Sequence, residues 1–291
     1  MINENDITFI YTVGGHDVHY ENMNRSIESV KESSLGECEY NFLVLEFGNK
    51  LKSSDKYEVI NLPDEIDFAS GKKVGYLIWK HKYIGALKVK TKYGVYVDSD
   101  TVMAYNNVVG ICRAIEEGFG VCRHFWVPDI ENYQTKACTP ETIDQFLEVK
   151  QTLELNDYDP FFAGGVFLFR NNEKNQQVMK KVLEYYDDYY SSKDYVRSIT
   201  DELFLAAALR HCQADVKVIS GALNHCTMGE QFMPMAFDKE SNTLFGRNNF
   251  ESQWAPITFL HCDVSRRDPS EEYVGETKEL IRKHFRMNKI G

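Results

Sequence analysis

Hydrophobic residues fall along this chain in two alternating textures. Short runs rich in β-branched and aromatic residues read as buried strands: Ile7-Thr8-Phe9-Ile10-Tyr11-Thr12-Val13, then residues 40–47, 57–62 and Val95-Tyr96-Val97. Between them lie stretches with apolar residues at helical spacing, Ile27 and Val30 within 24–32, and Leu77, Ile78, Ile84 and Leu87 within 73–90. Strand alternating with helix predicts an α/β domain with a mostly parallel sheet. After Gly120-Val121-Cys122-Arg123 the pattern loosens. Residues 125–160 are polar, are interrupted by Pro128, Pro140 and Pro160, and hold one expected helix, 140–155, with Thr139 as its N-cap and Pro140 at its first position. A buried strand resumes at 161–169. Helices are expected over 173–190 and 201–211, and strands over 216–220 and 257–261. No repeat, low-complexity segment or clear linker divides the chain.

In a parallel sheet, ligands bind at the carboxyl ends of the strands. Two features fall there. One is the Gly14-Gly15 turn. The other is Asp98-Ser99-Asp100, in which alternation along an extended chain turns both carboxylates to one side. A hard divalent cation, Mg²⁺ or Mn²⁺, prefers such oxygen ligands and leaves its other positions to water and phosphate, so a nucleoside diphosphate is the natural partner. A solvated turn is the plainer reading of the same residues. The pair Gly164-Gly165 opens strand 161–169, where glycine permits close approach of a ligand. Thr200-Asp201-Glu202 opens helix 201–211 as a capping pattern with acidic residues at the positive helix end.

Composition narrows the picture. The 291 residues carry a net charge of −11, which argues against broad nucleic-acid binding. The polar, acidic start is not that of a signal peptide, and no apolar run spans a bilayer, so a cytoplasmic protein is expected. The 7 Cys are odd in number and form no C-x-x-C, as expected of reduced thiols. Three follow a histidine (His211-Cys212, His225-Cys226, His261-Cys262). Neighbours on a strand face opposite ways, so these pairs are not expected to bind zinc. Residues 277–289 are basic, with Leu280, Ile281 and Phe285 on one helical face. That suits either contact with an anionic membrane surface or a terminal helix packed on the domain.

Five segments occur in a telling order: Ile10-Tyr11-Thr12-Val13-Gly14-Gly15, the helix with Lys82, Asp98-Ser99-Asp100, Phe162-Ala163-Gly164-Gly165-Val166 and Phe259-Leu260-His261. Together they resemble the retaining glycosyltransferases of the GT-A fold, most closely the family 8 group of glycogenin and the lipopolysaccharide galactosyltransferases. The resemblance spans about 7–261, outside 125–160. It implies an α/β, Rossmann-like GT-A domain over 1–265, with a mostly parallel mixed central sheet flanked by helices, and a basic tail over 266–291. It implies transfer of a hexose from a nucleotide-diphosphate sugar, of UDP-glucose or UDP-galactose type, to a saccharide acceptor with retention. Mn²⁺ (or Mg²⁺) would be held by Asp98, Asp100 and His261. The donor would be held by Tyr11, stacked on the base, and by Thr12, Val13, Gly14, Lys82, Asp98, Ser99, Gly164, Gly165 and Arg266. Glu202 or Asp201 would supply the carboxylate on the donor's β-face. The 125–160 segment, with Trp126 and Tyr133, would form part of the acceptor side. A protein of this kind would work in the cytoplasm or at the inner membrane surface.

The match has departures. Ala163 and Gly164 replace the usual Asn and Ser. After His261 the chain reads Cys262-Asp263-Val264-Ser265-Arg266-Arg267 in place of Gly-x-Lys-Pro-Trp. Asp201-Glu202-Leu203-Phe204-Leu205 is more like the blood-group transferases of family 6. Read without the resemblance, Lys82 is a solvated helix lysine, His261 a core histidine and Asp201-Glu202 a helix cap. A nucleotidyltransferase would carry a basic loop after the first strand, which Gly14-Gly15-His16-Asp17 is not. A non-catalytic sugar-nucleotide-binding relative fits poorly with an intact Asp-x-Asp and His261.

Overall fold

The computed structural model describes residues 2–34, 38–62, 74–124, 127–138, 140, 142–190, 201–226 and 233–261. The first half alternates as its hydrophobic pattern predicts: β1 (Ile7–Gly14), α1 (Asp17–Glu32), β2 (Asn41–Phe47), β3 (Glu58–Leu62), α2 (Val74–Ala86) and β4 (Tyr93–Val97). Then come β5 (Thr101–Met103), α3 (Val108–Ile115), β6 (Phe119–Arg123), α4 (Ile130–Ala137), α5 (Ile143–Thr152) and β7 (Phe162–Arg170). The chain continues through α6 (Glu173–Tyr190), α7 (Asp201–His211), β8 (Val216–Ile219), β9 (Asn224–Cys226), β10 (Met235–Asp238), β11 (Thr243–Gly246), β12 (Ala255–Pro256) and β13 (Phe259–His261).

Seven strands form the central sheet in the order β3-β2-β1-β4-β7-β6-β8. Every neighbouring pair is parallel except those of β7, which runs antiparallel to both β4 and β6. This reversal matters for the site. It brings the start of β7, with Gly164 and Gly165, to the edge where the parallel strands end. Alternate strand residues feed two cores, as a period of two requires. Ile10, Leu45, Tyr96, Phe167 and Phe169 pack under α2, α6 and α7, while Phe9, Tyr11, Val13, Val44, Val95 and Val97 pack under α1 and α3. Within the first core, the Tyr96 and Tyr83 rings stack on Phe167 at centroid distances of 5.1 and 5.7 Å.

A second sheet, β5-β13-β9, sits above the ends of the main strands. In its register His261 lies opposite Thr101 on β5 and Cys226 on β9. β10, β11 and β12 form a small antiparallel sheet beside it.

Element ends differ from the pattern in places with a physical cause. Helix α1 begins at Asp17, not 24, because Gly15 (φ 82) turns the chain directly into it and Tyr20 and Met23 are already buried. Helix α2 closes at Ala86, short of 90, with the Lys88 N–H turned back onto the Gly85 carbonyl at 2.9 Å. The described residues of 125–160 carry two helices, α4 and α5, where one was expected. Val127, Ile130, Tyr133, Phe146 and Val149 are buried in the main core, so a polar segment still packs through its few apolar positions. Helix α5 starts at Ile143, after Thr142; Thr139, the expected cap, lies outside the described residues, as do Trp126, Arg266, Arg267 and the 277–289 tail. Among the described residues, no helix is long and apolar enough to cross a membrane.

Candidate active site

Asp98 follows the last residue of β4. Its backbone N–H donates to the Gly165 carbonyl at 2.8 Å, and its own carbonyl accepts from Thr101 Oγ1 at 3.0 Å. The turn pinned in this way returns the chain into β5, and β13 then lays His261 beside the two carboxylates. His261 Nε2 stands 3.2 Å from Asp100 Oδ1 and 3.9 Å from Asp98 Oδ2. One ligand atom from each of the three residues lies within 4.8 Å of the others. Asn224 Oδ1 on β9 faces His261 Nδ1 at 3.2 Å. If Nδ1–H donates there, Nε2 points its lone pair at the carboxylates, the outer-shell arrangement that orients metal-ligating histidines. Burial alone would lower the His261 pKa, but Asp100 and Asp98 outweigh it and raise it to about 9. The same imidazolium holds the Asp100 pKa down against burial, whereas burial keeps Asp98 above its ordinary value despite Lys82 and His261. Two hard carboxylates and an imidazole fit a divalent cation that accepts nitrogen as well as oxygen.

Behind this cluster lies Lys82, 4 % exposed. Its ammonium faces three oxygens: Asp98 Oδ1 at 3.2 Å, Asp201 Oδ2 at 3.3 Å and the Gly164 carbonyl at 3.3 Å. An ammonium has three hydrogens, and here protein oxygens take them. Burial opposes the charge on Lys82, but Asp201, Asp98 and Glu202 keep its pKa above the ordinary lysine value. The two stacked tyrosines complete the network. Tyr96 donates to Asp98 Oδ1 at 2.6 Å and Tyr83 to Asp201 Oδ2 at 3.3 Å. Lys82 is therefore a strut joining Asp98 to Asp201 at the cavity wall, not the solvated helix lysine that its place on a helix alone suggests.

Asp201 and Glu202, in the first turn of α7, diverge. Asp201 is turned inward to Lys82 and Tyr83. Glu202 Oε1 accepts the Gly164 N–H at 3.0 Å, and His124 Nε2, just past β6, stands 3.9 Å from the same oxygen. The glycine pair makes room for these side chains. A Cβ on Gly164 would meet Asp201 Oδ2 at 2.9 Å, and one on Gly165 would meet His261 Cε1 at 2.7 Å. Gly165→Ala is therefore expected to push His261 off the carboxylates, weakening Mn²⁺ binding by about 10–100-fold, as losing a metal-orienting contact does. Calorimetric titration with Mn²⁺, with circular dichroism to check the fold, measures this.

A cavity of ≈ 410 Å³ opens beside the carboxylates, between the end of β1 and helices α1 and α2. Of the residues expected at the donor, Thr12, Val13, Gly14, Lys82, Asp98 and Ser99 line it. Tyr11 does not. Its ring is 0 % exposed in the α1 core and its hydroxyl pairs with Ser26 Oγ at 3.1 Å, so it has no face for a base. Tyr133 is likewise a core residue, 4.6 Å from the Phe161 ring, and offers no face to an acceptor. The structure adds His19 and Asn22 on α1 and Trp79 on α2 to the cavity wall, and Asn224 and His124 to the polar cluster. The sequence carried a weak signal for Trp79 alone, as an aromatic on the helix preceding Asp98.

No family model and no curated protein matches this sequence. Solved structures do share its fold. The galactosyltransferase LgtC, in complex with donor and acceptor sugar analogues, superposes with a TM-score of 0.57 at 15% identity over 96% of this chain and 95% of that one. Mouse xyloside xylosyltransferase 1 gives 0.52 at 10% identity over 92% and 99%. The bifunctional glycosyltransferase WbbM gives 0.50 at 10% identity over 76% of this chain and 40% of that chain. The chain has the GT-A glycosyltransferase fold, with the mostly parallel mixed sheet that its sequence implied.

Proposed function

We propose that this protein is a metal-dependent glycosyltransferase. It moves a hexose from a nucleotide-diphosphate sugar, of UDP-glucose or UDP-galactose type, to a saccharide acceptor with retention. The observation that carries this reading is the meeting of Asp98, Asp100 and His261 at the mouth of a cavity formed by the end of β1, with Glu202 across Gly164 from them. The fold shared with the galactosyltransferase LgtC, solved with donor and acceptor sugar analogues, supports it.

Asp98, Asp100 and His261 would hold a divalent cation, Mn²⁺ by the chemistry of the donor set, and when bound it would supply positive charge toward the leaving nucleoside diphosphate. The nucleotide lies in the cavity against Thr12, Val13, Gly14 and Ser99, with Trp79 and Asn22 opposite. Of the two α7 carboxylates, Glu202 faces the sugar. Its charge stabilises the oxocarbenium-like transition state or its oxygen attacks the anomeric carbon. Asp201 fixes the start of α7 through Lys82 and Tyr83 and does not touch substrate. Arg266 and Arg267, which lie outside the described residues, are proposed as cations for the diphosphate on sequence alone.

Retention is tested by NMR of the anomeric proton in the transfer product from UDP-glucose or UDP-galactose. An axial linkage from the axial donor is expected. An equatorial product would remove retention and with it the role given to Glu202.

A further inference from the structure

A second cavity, of ≈ 240 Å³, lies at the amino ends of the parallel strands, at the opposite edge of the sheet from Asp98. Thr8 lines this cavity and Gly14 the donor cavity, and the stretch of β1 between them is roughly 20 Å long. The floor follows from the register. Thr8 pairs with Asn41 and Leu43 with Glu58, so these four side chains share one face of the sheet. Residues 54–57, which lead into β3, form one wall, and residues 88–91, which lead into β4, form the other. Strands β2 and β1 lie between β3 and β4 and carry the floor.

The polar groups around this cavity are only partly used by the protein. Asn41 Nδ2 donates to the Asn5 and Ile7 carbonyls at 3.0 and 3.3 Å, which leaves Oδ1 as an acceptor. Thr91 donates to the Tyr93 carbonyl at 2.9 Å, so in its 2.7 Å contact with Thr8 it is Thr8 that donates. The Thr8 oxygen is left as a second acceptor. Ser54 Oγ accepts the Lys56 N–H at 3.2 Å and keeps its own hydrogen to give. Among the described residues, the Lys88 ammonium, the Asp55 carboxylate and the Tyr57 hydroxyl have neither an ion pair nor a hydrogen bond. Lys90 is held by both oxygens of Glu58, at 2.9 and 3.1 Å.

Donors and acceptors therefore alternate around an apolar patch, Leu43 and Val89, at 4% and 6% exposure. A pyranose ring has the matching demand. Each of its hydroxyls both donates and accepts, and its C–H face is apolar. A phosphate fits less well, because Asp55 and Glu58 would face it with like charge. The volume is below the about 300–1,000 Å³ of pockets for drug-sized ligands, which limits the occupant to about one ring.

We propose that this cavity is a saccharide-binding subsite, separate from the transfer site, that takes one ring of a neutral saccharide. Asp55 accepts from its hydroxyls and Lys88 donates to them, over Leu43 and Val89. Binding there needs neither nucleotide nor metal, so it goes beyond the glycosyltransferase reading.

The test titrates the methyl glycosides of glucose, galactose and N-acetylglucosamine, followed by saturation-transfer NMR, into protein free of UDP and metal. Inorganic phosphate is titrated in parallel by calorimetry. Wild type, Asp55→Ala, Lys88→Ala and Asp100→Ala are compared. At least one glycoside is expected to bind saturably. Asp55→Ala and Lys88→Ala should each weaken it by about three- to tenfold, the loss of one hydrogen bond, while Asp100→Ala leaves it unchanged. UDP affinity with Mn²⁺ should be the same in Asp55→Ala and Lys88→Ala as in wild type. Glycoside binding that ignores both of these substitutions, or that is lost in Asp100→Ala, would overturn the proposal. So would the absence of binding by every glycoside. Phosphate binding that Lys88→Ala weakens and Asp55→Ala strengthens, with no glycoside bound, would mark an anion site and overturn it as well. Failure of wild type to bind UDP is a separate result: it removes the glycosyltransferase reading and leaves this subsite to be judged on the glycosides.

Discussion

Asp100→Ala is expected to abolish Mn²⁺-dependent turnover, by about 10³-fold, while leaving the fold intact. The size follows from the several kcal/mol a Lewis-acid metal supplies to a departing diphosphate, each ~1.4 kcal/mol being tenfold in rate. The carboxylate faces the site at 35% side-chain exposure, so its loss opens no core cavity. What remains is Asp98, shared with Lys82 and Tyr96, and a histidine whose strongest anionic partner has gone. The His261 pKa should fall from about 9 toward its ordinary value, because Asp100 is the larger of the two charges raising it. Steady-state hydrolysis of UDP-sugar with added Mn²⁺ measures the first effect, and histidine NMR titration of the metal-free protein the second. Activity within a few fold of wild type would mean that Asp100 holds no metal.

Lys82→Met should destabilise the protein by ~3 kcal/mol, near the low end of the range for stripping one partner from a buried ion pair. The methionine fills the stem's volume but leaves Asp201, at 6% side-chain exposure, with Tyr83 in place of a cation. Asp98 is more exposed at 22% and keeps His261 nearby, which holds the cost below the upper limit. Urea unfolding followed by circular dichroism reads this directly. A lysine that served only to touch the donor would show the opposite split, with unchanged stability and weakened UDP-sugar binding.

The strands and the main helices were legible because burial on both faces of a sheet leaves a hydrophobic signature in the residues themselves. Asp98-Ser99-Asp100 was legible as chemistry because two carboxylates one residue apart have few structural uses at a strand end. The histidine was legible only through the resemblance, since Phe259-Leu260-His261 is an ordinary short strand by composition. The register of β13 on β5, a contact between residues about 160 positions apart in sequence, is what makes His261 a partner of Asp100. Tyr11 was misplaced as a base-stacking residue, and the burial of Lys82 went unread, for a related reason. A residue type reports what a side chain can do, while packing decides what it faces, and both are buried. Gly164 and Gly165 were read as room for a ligand. The space is filled by Asp201, Glu202, Asn224 and His261, four side chains from three distant elements. His124 carried no signal at all, because its partner Glu202 lies across β7 on another helix.

The proposed divalent-metal site of Asp98, Asp100 and His261 should hold a nucleoside diphosphate. Isothermal titration of UDP into the protein with Mn²⁺, repeated after EDTA, tests it most directly. Saturable binding with Mn²⁺ and loss of most of that affinity on chelation are expected, with Asp100→Ala behaving as the chelated protein does. UDP affinity that is the same with Mn²⁺ and with EDTA would contradict it.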